Sequence, residues 1–387
     1  MQRLKLLDVE WTTAICPPIS TVTFYSTTDA PHSSTKAYIQ QRVDAIVQAN
    51  PWLAGRLTSG LFLSNITLEF NHTPSAVIVE EAHLPNFSNQ LDYSQIAAMC
   101  MPFNVVSGAT MINSNHPMVR VTWITISDTQ GALFFSVAHG IADGYTYYRL
   151  YGMLSAKTPI GALTCTRFMD FSSKVEETVK GGNDASPLFS SLPYMVNLAG
   201  TMMLTPSPSY TLHTVNQEWI AEEKAKHKSA SPVGYVSTND IITSWAFRTT
   251  KCDVGFIAIN YRGRIDGVER HLAGNYESAI GYQPEDYATP ALIRESLATN
   301  GFRRARSGAF PSMWSKTSTF VSSWISLYGP AELPRWTMIE HLPSASGNVP
   351  FTATIVVFQR TPSSVGVLAV SRVDLTGDND AAAALTP

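Results

Sequence analysis

The chain has 387 residues, of which 44% are hydrophobic and only 15% are charged. A chain of this length buries more than one compact core usually holds, so we expect two domains. Lysine and arginine together number 27 against 30 acidic residues, which gives a net charge of -3. This balance predicts no broad basic surface, and it argues against nucleic acid or an anionic membrane as a partner.

The four cysteines are far apart and form no CxxC pair, which argues against a zinc knuckle or a dense disulfide framework. Asp8 and Glu10 interrupt the N-terminal segment before any apolar run, so no secretory signal is predicted. The most apolar window, residues 194–204, is shorter than the ~20 residues that span a bilayer. We therefore expect a cytoplasmic protein without a transmembrane segment.

In the first half of the chain, β-branched and aromatic runs predict strands at residues 21–26, 76–82, 119–127 and 132–138. Between the first two, apolar residues recur at helical spacing in 35–51, and Asn50-Pro51 ends the pattern. A further helix is predicted after Asp143, which stands where an N-cap would lie.

From about residue 156 to 235 the chain is rich in Ser, Pro, Gly and Lys, which is typical of a long crossover rather than of a packed unit. Beyond it the patterns predict two helices, at 238–248 and 289–305, and four strands, at 254–265, 318–326, 351–361 and 365–374. We place an N-terminal domain at 1–185, the crossover at 186–230 and a C-terminal domain at 231–387.

His139 is the first candidate functional residue, because it follows the apolar run 132–138 directly in the stretch AHGIADG. Imidazole has an ordinary pKa of about 6.5 and can accept a proton near neutrality, and a well-placed general base contributes about 10²- to 10⁴-fold. A buried strand would present its ring from a rigid edge with little water. Gly140 and Gly144 permit other groups to approach the turn closely.

Asp143 lies four residues after His139, and two roles compete for it. Its carboxylate could touch the imidazole, or it could point away to cap the helix and pair with an arginine. We favour the second, because a buried carboxylate needs a charged or hydrogen-bonding partner. Arg262 and Arg264 lie on one face at the polar end of the predicted strand 254–265, so either could pair with it.

Other chemistries have less support in the sequence. His139 could be an ordinary hydrogen-bonded core residue, and Asp143-Gly144 an ordinary turn. A metal site would need three or four ligands, and no HExxH or close histidine pair accompanies these two residues. Neither a GxSxG elbow nor a phosphate-binding GxxxxGK[ST] or GxGxxG loop occurs.

The segment HGIADG after an apolar strand resembles the HxxxDG motif of the CoA-dependent acyltransferase superfamily. This superfamily includes the BAHD acyltransferases, chloramphenicol acetyltransferase and the condensation domains of peptide synthetases. Further segments resemble it in the same order along the chain, from about residue 20 to 375: VDAIVQANPWLAGRL (43–57), STNDIITSWAFR (237–248), INYRGRIDGVERHLAGNYESAI (259–280) and TFVSSWISL (319–327).

The resemblance implies two chloramphenicol acetyltransferase-like α/β domains, each a mixed sheet flanked by helices, with a channel at their interface and His139 at its middle. It implies acyl-CoA as cosubstrate, no permanently bound cofactor or metal, and a small-molecule acceptor with a hydroxyl or amine. Asp143 is then structural and paired with an arginine. We expect a monomer.

Two departures limit the subfamily. Condensation domains carry a second histidine just before the first, and here that position is Ala138. Plant BAHD enzymes carry a DFGWG motif late in the chain, which residues 326–338 lack. A divergent BAHD-like acyltransferase is therefore our placement. The alternatives are a condensation-type enzyme with a carrier-bound donor and a non-catalytic binding module of the same fold.

Such a reaction needs hydrogen-bond donors for the tetrahedral oxyanion. Ser322, Ser323 and the indole N–H of Trp324 are candidates, because alternate residues of a strand face opposite sides. For Trp324, core packing is the alternative. Asn275 is a candidate substrate contact, and a simple Gly-Asn turn is its alternative. His271 and His341 lie in loop-like segments, and we expect both at the surface.

Overall fold

The computed structural model describes residues 1–60, 65–181, 184–299, 301–306, 308–345, 347–375 and 383–386. Two units make up the chain, and neither is continuous in sequence. Unit 1 comprises 1–171, 262–276 and 326–347, and unit 2 comprises 172–261, 277–325 and 348–387.

The helices of unit 1 are α1 (Asp8–Ala14), α2 (His32–Ala49), α3 (Tyr93–Cys100) and α4 (Gly144–Gly152), with short 3-10 turns at Pro51–Ala54, Met101–Phe103 and Gly108–Thr110. Its strands are β1 (Gln2–Lys5), β2 (Ile19–Ser26), β3 (Arg56–Thr58), β4 (Thr67–Phe70), β5 (Glu80–His83), β6 (Val119–Ser127), β7 (Gln130–Val137) and β12 (Thr337–Pro343).

The main sheet of unit 1 has the strand order β12-β2-β7-β6-β5, and β1, β4 and β3 form a small separate sheet. β5 runs parallel to β6, whereas the other neighbours are antiparallel, so the main sheet is mixed. β7 lies in the middle of this sheet and is buried from Gly131 to Val137. A central strand buried on both faces explains its continuous apolar sequence.

Unit 2 contains α5 (Phe171–Thr178, which begins at the unit boundary), α6 (Ser186–Phe189), α7 (Leu192–Leu204), α8 (Gln217–His227), α9 (Thr238–Thr250), α10 (Pro284–Tyr287) and α11 (Pro290–Ala298). Its strands are β8 (Ser209–Val215), β9 (Val254–Asn260), β10 (Glu277–Tyr282), β11 (Ser318–Ser323), β13 (Ala353–Thr361), β14 (Ser364–Ser371) and β15 (Leu385–Thr386). They form one sheet in the order β10-β9-β11-β13-β14-β8-β15. β11 is parallel to β9 and β13, so this sheet is mixed as well.

The predicted α/β class, with mixed sheets flanked by helices, is confirmed. Of the predicted strands in the first half, 21–26, 119–127 and 132–138 correspond to β2, β6 and β7. The predicted helix 35–51 corresponds to α2, whose apolar residues at helical spacing, Ile39, Val43, Ile46 and Val47, are all buried. The strand predicted at 76–82 is shorter and later, since β5 begins at Glu80.

The two units do not follow the continuous domain boundaries that the sequence suggested. Residues 326–347 belong to unit 1 because β12 pairs with β2 along its whole length, from Thr337 beside Ser26 to Pro343 beside Thr21. Residues 262–276 belong to unit 1 as well. Pairing between strands more than 300 residues apart leaves no local signal in a sequence.

The expected crossover at 186–230 is also corrected, because much of it is packed structure. β8 pairs with β14 from Ser209 to Thr214. Ahead of β8, Tyr194 in α7 is buried in a cluster with Val254 and Phe256 of β9. Because serines and prolines are scattered through this segment, its sequence shows no clear apolar pattern that would predict these contacts.

No helix among the described residues is both long and apolar enough to cross a bilayer.

Candidate active site

The turn between β7 and α4 carries His139 and is held close to α1. His139 is partly buried and lies two residues beyond the last residue of β7. Gly140 follows it, and a Cβ atom there would lie 2.9 Å from both Cα and Cβ of Ala14 in α1. Only glycine therefore lets α1 approach the turn this closely. Gly144 is the first residue of α4 and is buried.

Asp143 caps α4 and pairs with an arginine. Its Oδ1 accepts from the backbone N–H of Thr146 at 2.8 Å, which satisfies one of the open donors at the helix N-terminus. Its Oδ2 accepts from Nη1 of Arg262 at 2.6 Å and from the backbone N–H of Tyr276 at 3.0 Å. The sequence left two roles open for Asp143, contact with the imidazole, or capping the helix while pairing with an arginine. The structure shows the second.

Arg262 is the arginine that pairs with Asp143, and both side chains are almost completely buried. Its Nε donates to the backbone carbonyl of Leu272 at 2.9 Å, and its Nη2 donates to the backbone carbonyl of Gly274 at 2.8 Å and to the Thr146 hydroxyl at 3.0 Å. A buried ion pair is retained at low cost only when its other hydrogen-bonding groups are satisfied in this way.

Arg264 is exposed. The sequence placed both arginines on one face of a strand, but β9 ends at Asn260 and both lie in the turn that follows. Alternation along a strand therefore did not apply to them.

Asn275 contacts His139 in a way that fixes where the imidazole proton lies. The Nδ2 group of Asn275 donates to the backbone carbonyl of His139 at 2.8 Å, so its Oδ1 faces Nδ1 of the ring at 3.1 Å. An amide oxygen can only accept, so Nδ1 carries the proton and donates it to Oδ1. The lone pair of the neutral ring is then on Nε2. Asn275 is fully buried and contacts the His139 ring, so it does more than form a Gly-Asn turn.

Burial lowers the pKa of His139 below its ordinary value of 6.5 by penalising the charged ring. The carbonyl of His139 itself, the charge of Asp143 and the amide of Asn275 oppose this effect only in part. His139 is therefore neutral at pH 7, which is the protonation state that a general base needs.

A buried ion pair behind Asn275 was missed by the sequence analysis. Glu10 in α1 and Arg167 are joined at 2.8 Å between Oε2 and Nε, with side-chain exposures of 0% and 1%. Oε1 of Glu10 accepts from the backbone N–H of Asn275 at 3.0 Å. Gly274 allows this approach, because a Cβ there would lie 2.7 Å from Cζ of Arg167 and its φ is +119°.

The sequence offered one hint of this pair. Glu10 stands third in α1 and accepts from the backbone N–H of Leu7 at 2.8 Å, as a carboxylate in a capping box does. A glutamate at this position predicts the N-terminal end of a helix, but it does not predict an ion pair with a distant arginine.

The predicted oxyanion donors, Ser322, Ser323 and Trp324, lie in unit 2, at the end of β11 and just beyond it. Ser322 and Ser323 are the last residues of β11, and both are partly buried. Trp324 follows, and its indole Nε1–H donates to the Ser322 hydroxyl at 3.0 Å. Ser322 and Trp324 thus share a side, as alternation along the chain predicts.

The two other histidines considered in the sequence analysis differ from each other in burial. His271 is exposed, as expected. His341 is completely buried on β12, so the surface location expected for it is wrong. Its Nδ1 lies 2.8 Å from the Thr23 hydroxyl and its Nε2 lies 3.0 Å from the Tyr148 hydroxyl. Neutral hydroxyl partners let a neutral imidazole occupy a core.

Comparison with solved structures identifies the fold. TRI101 of F. graminearum, in complex with coenzyme A and T-2 mycotoxin, superposes with a TM-score of 0.67 at 12% sequence identity, over 100% of this chain and 99% of that one. TRI101 of F. sporotrichioides, also with coenzyme A and T-2, gives a TM-score of 0.65 at 13% identity, over 99% of both chains.

The first condensation domain of the calcium-dependent antibiotic synthetase gives a TM-score of 0.61 at 12% identity, over 99% of this chain and 93% of that domain. The chain has the chloramphenicol acetyltransferase-like fold. The fold that the sequence resemblance implied is thereby confirmed. No protein-family model matches the chain, and no curated protein gives a significant match.

Proposed function

We propose that the protein transfers an acyl group from an acyl-CoA thioester to a hydroxyl or amine of a small-molecule acceptor, with His139 as general base. The contact between Nδ1 of His139 and Oδ1 of Asn275, at 3.1 Å, carries the proposal. It leaves the lone pair of a neutral imidazole on Nε2, in a chain with the fold of TRI101, whose structure contains coenzyme A. A divergent BAHD-like enzyme is the subfamily we favour.

In the proposed reaction Nε2 of His139 takes the proton of the acceptor O–H or N–H as that atom attacks the thioester carbonyl. The new O–C or N–C bond forms a tetrahedral oxyanion directly, without a covalent enzyme intermediate. Collapse breaks the C–S bond, and the imidazolium returns its proton to the departing CoA thiolate. The acylated acceptor and free CoA are the products, and the base is regenerated.

Asp143 and Arg262 have an architectural role in this proposal. Their buried pair, at 2.6 Å, joins the start of α4 to the segment 262–276, which also carries Asn275. The carboxylate oxygens accept from Thr146, Arg262 and Tyr276. Asp143 and Arg262 therefore hold the turn that presents His139, and the proton transfer belongs to His139 itself.

For the oxyanion we propose the Ser322 hydroxyl as a donor. The indole of Trp324 already donates its N–H to this hydroxyl at 3.0 Å, which leaves the hydroxyl's own proton to be donated elsewhere. A hydroxyl that accepts one hydrogen bond becomes a better donor in the next. Trp324→Phe removes the indole donor, and we expect it to lower kcat more than KM, as measured by steady-state kinetics.

The experiment that tests the function compares donors. The purified chain is incubated with a panel of acyl-CoA thioesters and small hydroxyl and amine acceptors, and with the same acyl groups on a carrier protein. We expect release of free thiol, with an acylated product in the mass spectrum, from acyl-CoA alone. Transfer from the carrier thioester alone would replace the proposal with a condensation-type reaction.

A condensation-type enzyme is the second candidate because a condensation domain shares the fold. Ala138, where condensation domains carry a second histidine, argues against it. Binding of acyl-CoA without turnover of any donor would instead identify a non-catalytic binding module.

A further inference from the structure

We propose that Glu10, held by Arg167, is a positioning residue for His139. Its carboxylate holds Asn275 with the amide oxygen toward the imidazole, and so keeps the ring proton on Nδ1. The inference rests on the proposed function, since it concerns the readiness of the same base. It adds two residues, in α1 and in the segment after α4, that the sequence did not single out.

The geometry of Glu10 supports this role. Oε2 accepts from the backbone N–H of Leu7 and from Nε of Arg167, both at 2.8 Å. Oε1 accepts from the backbone N–H of Asn275 at 3.0 Å and lies 3.5 Å from its Nδ2. The shorter of these two contacts fixes the backbone from which the amide projects. The longer one places a second acceptor beside Nδ2, in addition to the carbonyl of His139.

The chemistry of the carboxylate decides which way the Asn275 amide faces. A carboxylate and a backbone carbonyl only accept hydrogen bonds, so both require the nitrogen side of the amide. The oxygen side is then left for Nδ1 of His139. If a donor replaced the carboxylate, the amide oxygen would turn toward that donor and the NH2 group would face Nδ1. The ring would then keep its proton on Nε2. A protonated Nε2 could not accept a proton from a substrate.

Arg167 fixes the carboxylate in turn. Its Nη1 donates to the backbone carbonyl groups of Cys165 at 2.7 Å and of Ala273 at 3.0 Å, so its guanidinium is tied to the chain on both sides. Ala273 lies two residues before Asn275. The ion pair therefore joins α1 and the segment carrying Asn275 into one buried array, which a lone surface carboxylate could not do.

The variant Glu10→Gln distinguishes the role of Glu10 in positioning Asn275 from its role in capping α1. At the third position of a helix, glutamine serves the capping box as well as glutamate does. Glu10→Gln therefore keeps the bond to Leu7 and the side-chain volume. It removes the charge beside Arg167 and introduces an NH2 group that competes with the acceptors facing Asn275.

Asp240 provides the matched control in unit 2. It is also completely buried at the third position of its helix, α9, and it accepts from the backbone N–H of Ser237 at 2.6 Å. Its Oδ2 pairs with Nε of Arg294 at 2.7 Å. Asp240→Asn removes a carboxylate–arginine pair whose carboxylate is as buried as that of Glu10 and whose arginine is 16% exposed. It should lower the melting temperature without changing the His139 ring.

The test is ¹⁵N NMR of the full chain with labelled histidine, using His139→Ala to assign the signals. We expect the proton on Nδ1 of His139 in the unmodified chain and in Asp240→Asn, and a substantial population with the proton on Nε2 in Glu10→Gln. We expect kcat of Glu10→Gln to fall roughly 10- to 100-fold with little change in KM, the range known for loss of a partner that orients a metal-bound histidine. An unchanged tautomer in folded Glu10→Gln would overturn the inference.

Arg167→Lys keeps the inference testable if Glu10→Gln does not fold, and a double variant extends the test if it does. Arg167→Lys keeps the charge beside Glu10 but loses the forked donors, and it should shift the tautomer in the same direction. Adding Asn275→Asp to Glu10→Gln places an acceptor opposite Nδ1, and it should restore the proton there. A wild-type tautomer in Arg167→Lys, or no restoration in the double variant, would refute positioning. The NMR result stands whether or not transfer is observed, so the two proposals fail separately.

Discussion

His139 and His341 are both histidines of unit 1 that follow or lie in a buried strand, yet their surroundings differ. His341 is sealed in the core between the hydroxyls of Thr23 and Tyr148, and burial lowers its pKa to about 3. His139 is only partly buried, and an amide oxygen contacts its Nδ1. Burial also lowers the pKa of His139, but charged and carbonyl groups oppose the shift. A core imidazole needs only neutral partners, whereas a base needs one fixed nitrogen and one that reaches the substrate.

The largest effect is expected from His139→Ala. Loss of the base should lower kcat by about 10²- to 10⁴-fold, since this is the usual contribution of a general base. Thiol release from acyl-CoA in the presence of an acceptor measures it. His341→Gln is the comparison variant, and its kcat should stay near that of the unmodified chain. Unchanged turnover in His139→Ala would contradict the base assignment.

Asp143→Asn should mainly destabilise unit 1. It leaves the guanidinium of Arg262 buried without its charge partner, and breaking such a pair typically costs about 3–5 kcal/mol. Thermal unfolding followed by circular dichroism measures the loss. Asp286→Asn, at the buried pair with Arg304 in unit 2, should destabilise without touching the His139 turn. A large fall in kcat for Asp143→Asn at unchanged stability would show that Asp143 acts in the chemistry.

Gly274→Ala should lower the melting temperature. Its φ of +119° disfavours any side chain, and the new Cβ would lie 2.8 Å from Oε1 of Glu10. We expect a loss of about 1–3 kcal/mol. Gly200→Ala is the control, because a Cβ at this helical glycine meets nothing within 4 Å and should be neutral or slightly stabilising. Equal effects of the two substitutions would argue against close packing at Gly274.

The pH dependence of stability should report on His341. Its pKa is about 3 in the folded chain and near 6.5 when unfolded, so the unfolded state binds the proton more readily between these values. Stability is therefore lost as the pH falls from 6.5, by about 1.4 kcal/mol per pH unit from this group. Melting temperatures between pH 7 and 5 measure the slope. His341→Gln should reduce it, whereas replacement of the exposed His271 should not.

The smallest effect concerns the pH dependence of the rate. Because burial lowers the pKa of His139, the neutral ring persists below pH 6.5. The acidic limb of kcat/KM should therefore have its midpoint below 6.5, and the rate should fall as the pH drops through it. A midpoint above 6.5 would mean that the charged ring is favoured instead.

Local patterns predicted the parts of the site that lie close together in the chain. An apolar strand, followed by a histidine and then by a capping aspartate four residues later, was enough to place His139 and Asp143 at a strand-to-helix corner. The fold class was implied by the family resemblance, and the helix and strand patterns of both halves agree with it. These features depend on neighbours in sequence, which a sequence displays directly.

Contacts between distant segments could not be predicted in the same way. The choice of Arg262 over Arg264 depended on where β9 ends, and the pattern extended that strand beyond Asn260. Glu10 reaches Asn275 across 265 positions of the chain. A single glutamate near the N-terminus has no pattern of its own, and neither the propensity of α1 nor its capping indicates a distant arginine.

The claim that His139 is a base depends on a lone pair at Nε2 near neutral pH. The most direct measurement is a ¹⁵N NMR titration of the labelled histidines in the unmodified chain between pH 5 and 8. We predict that at pH 7 the proton of His139 is on Nδ1, that Nε2 is unprotonated, and that the ring gains its second proton only below pH 6.5. A His139 ring with its proton on Nε2, or one that is already charged at pH 7, would contradict the proposed mechanism.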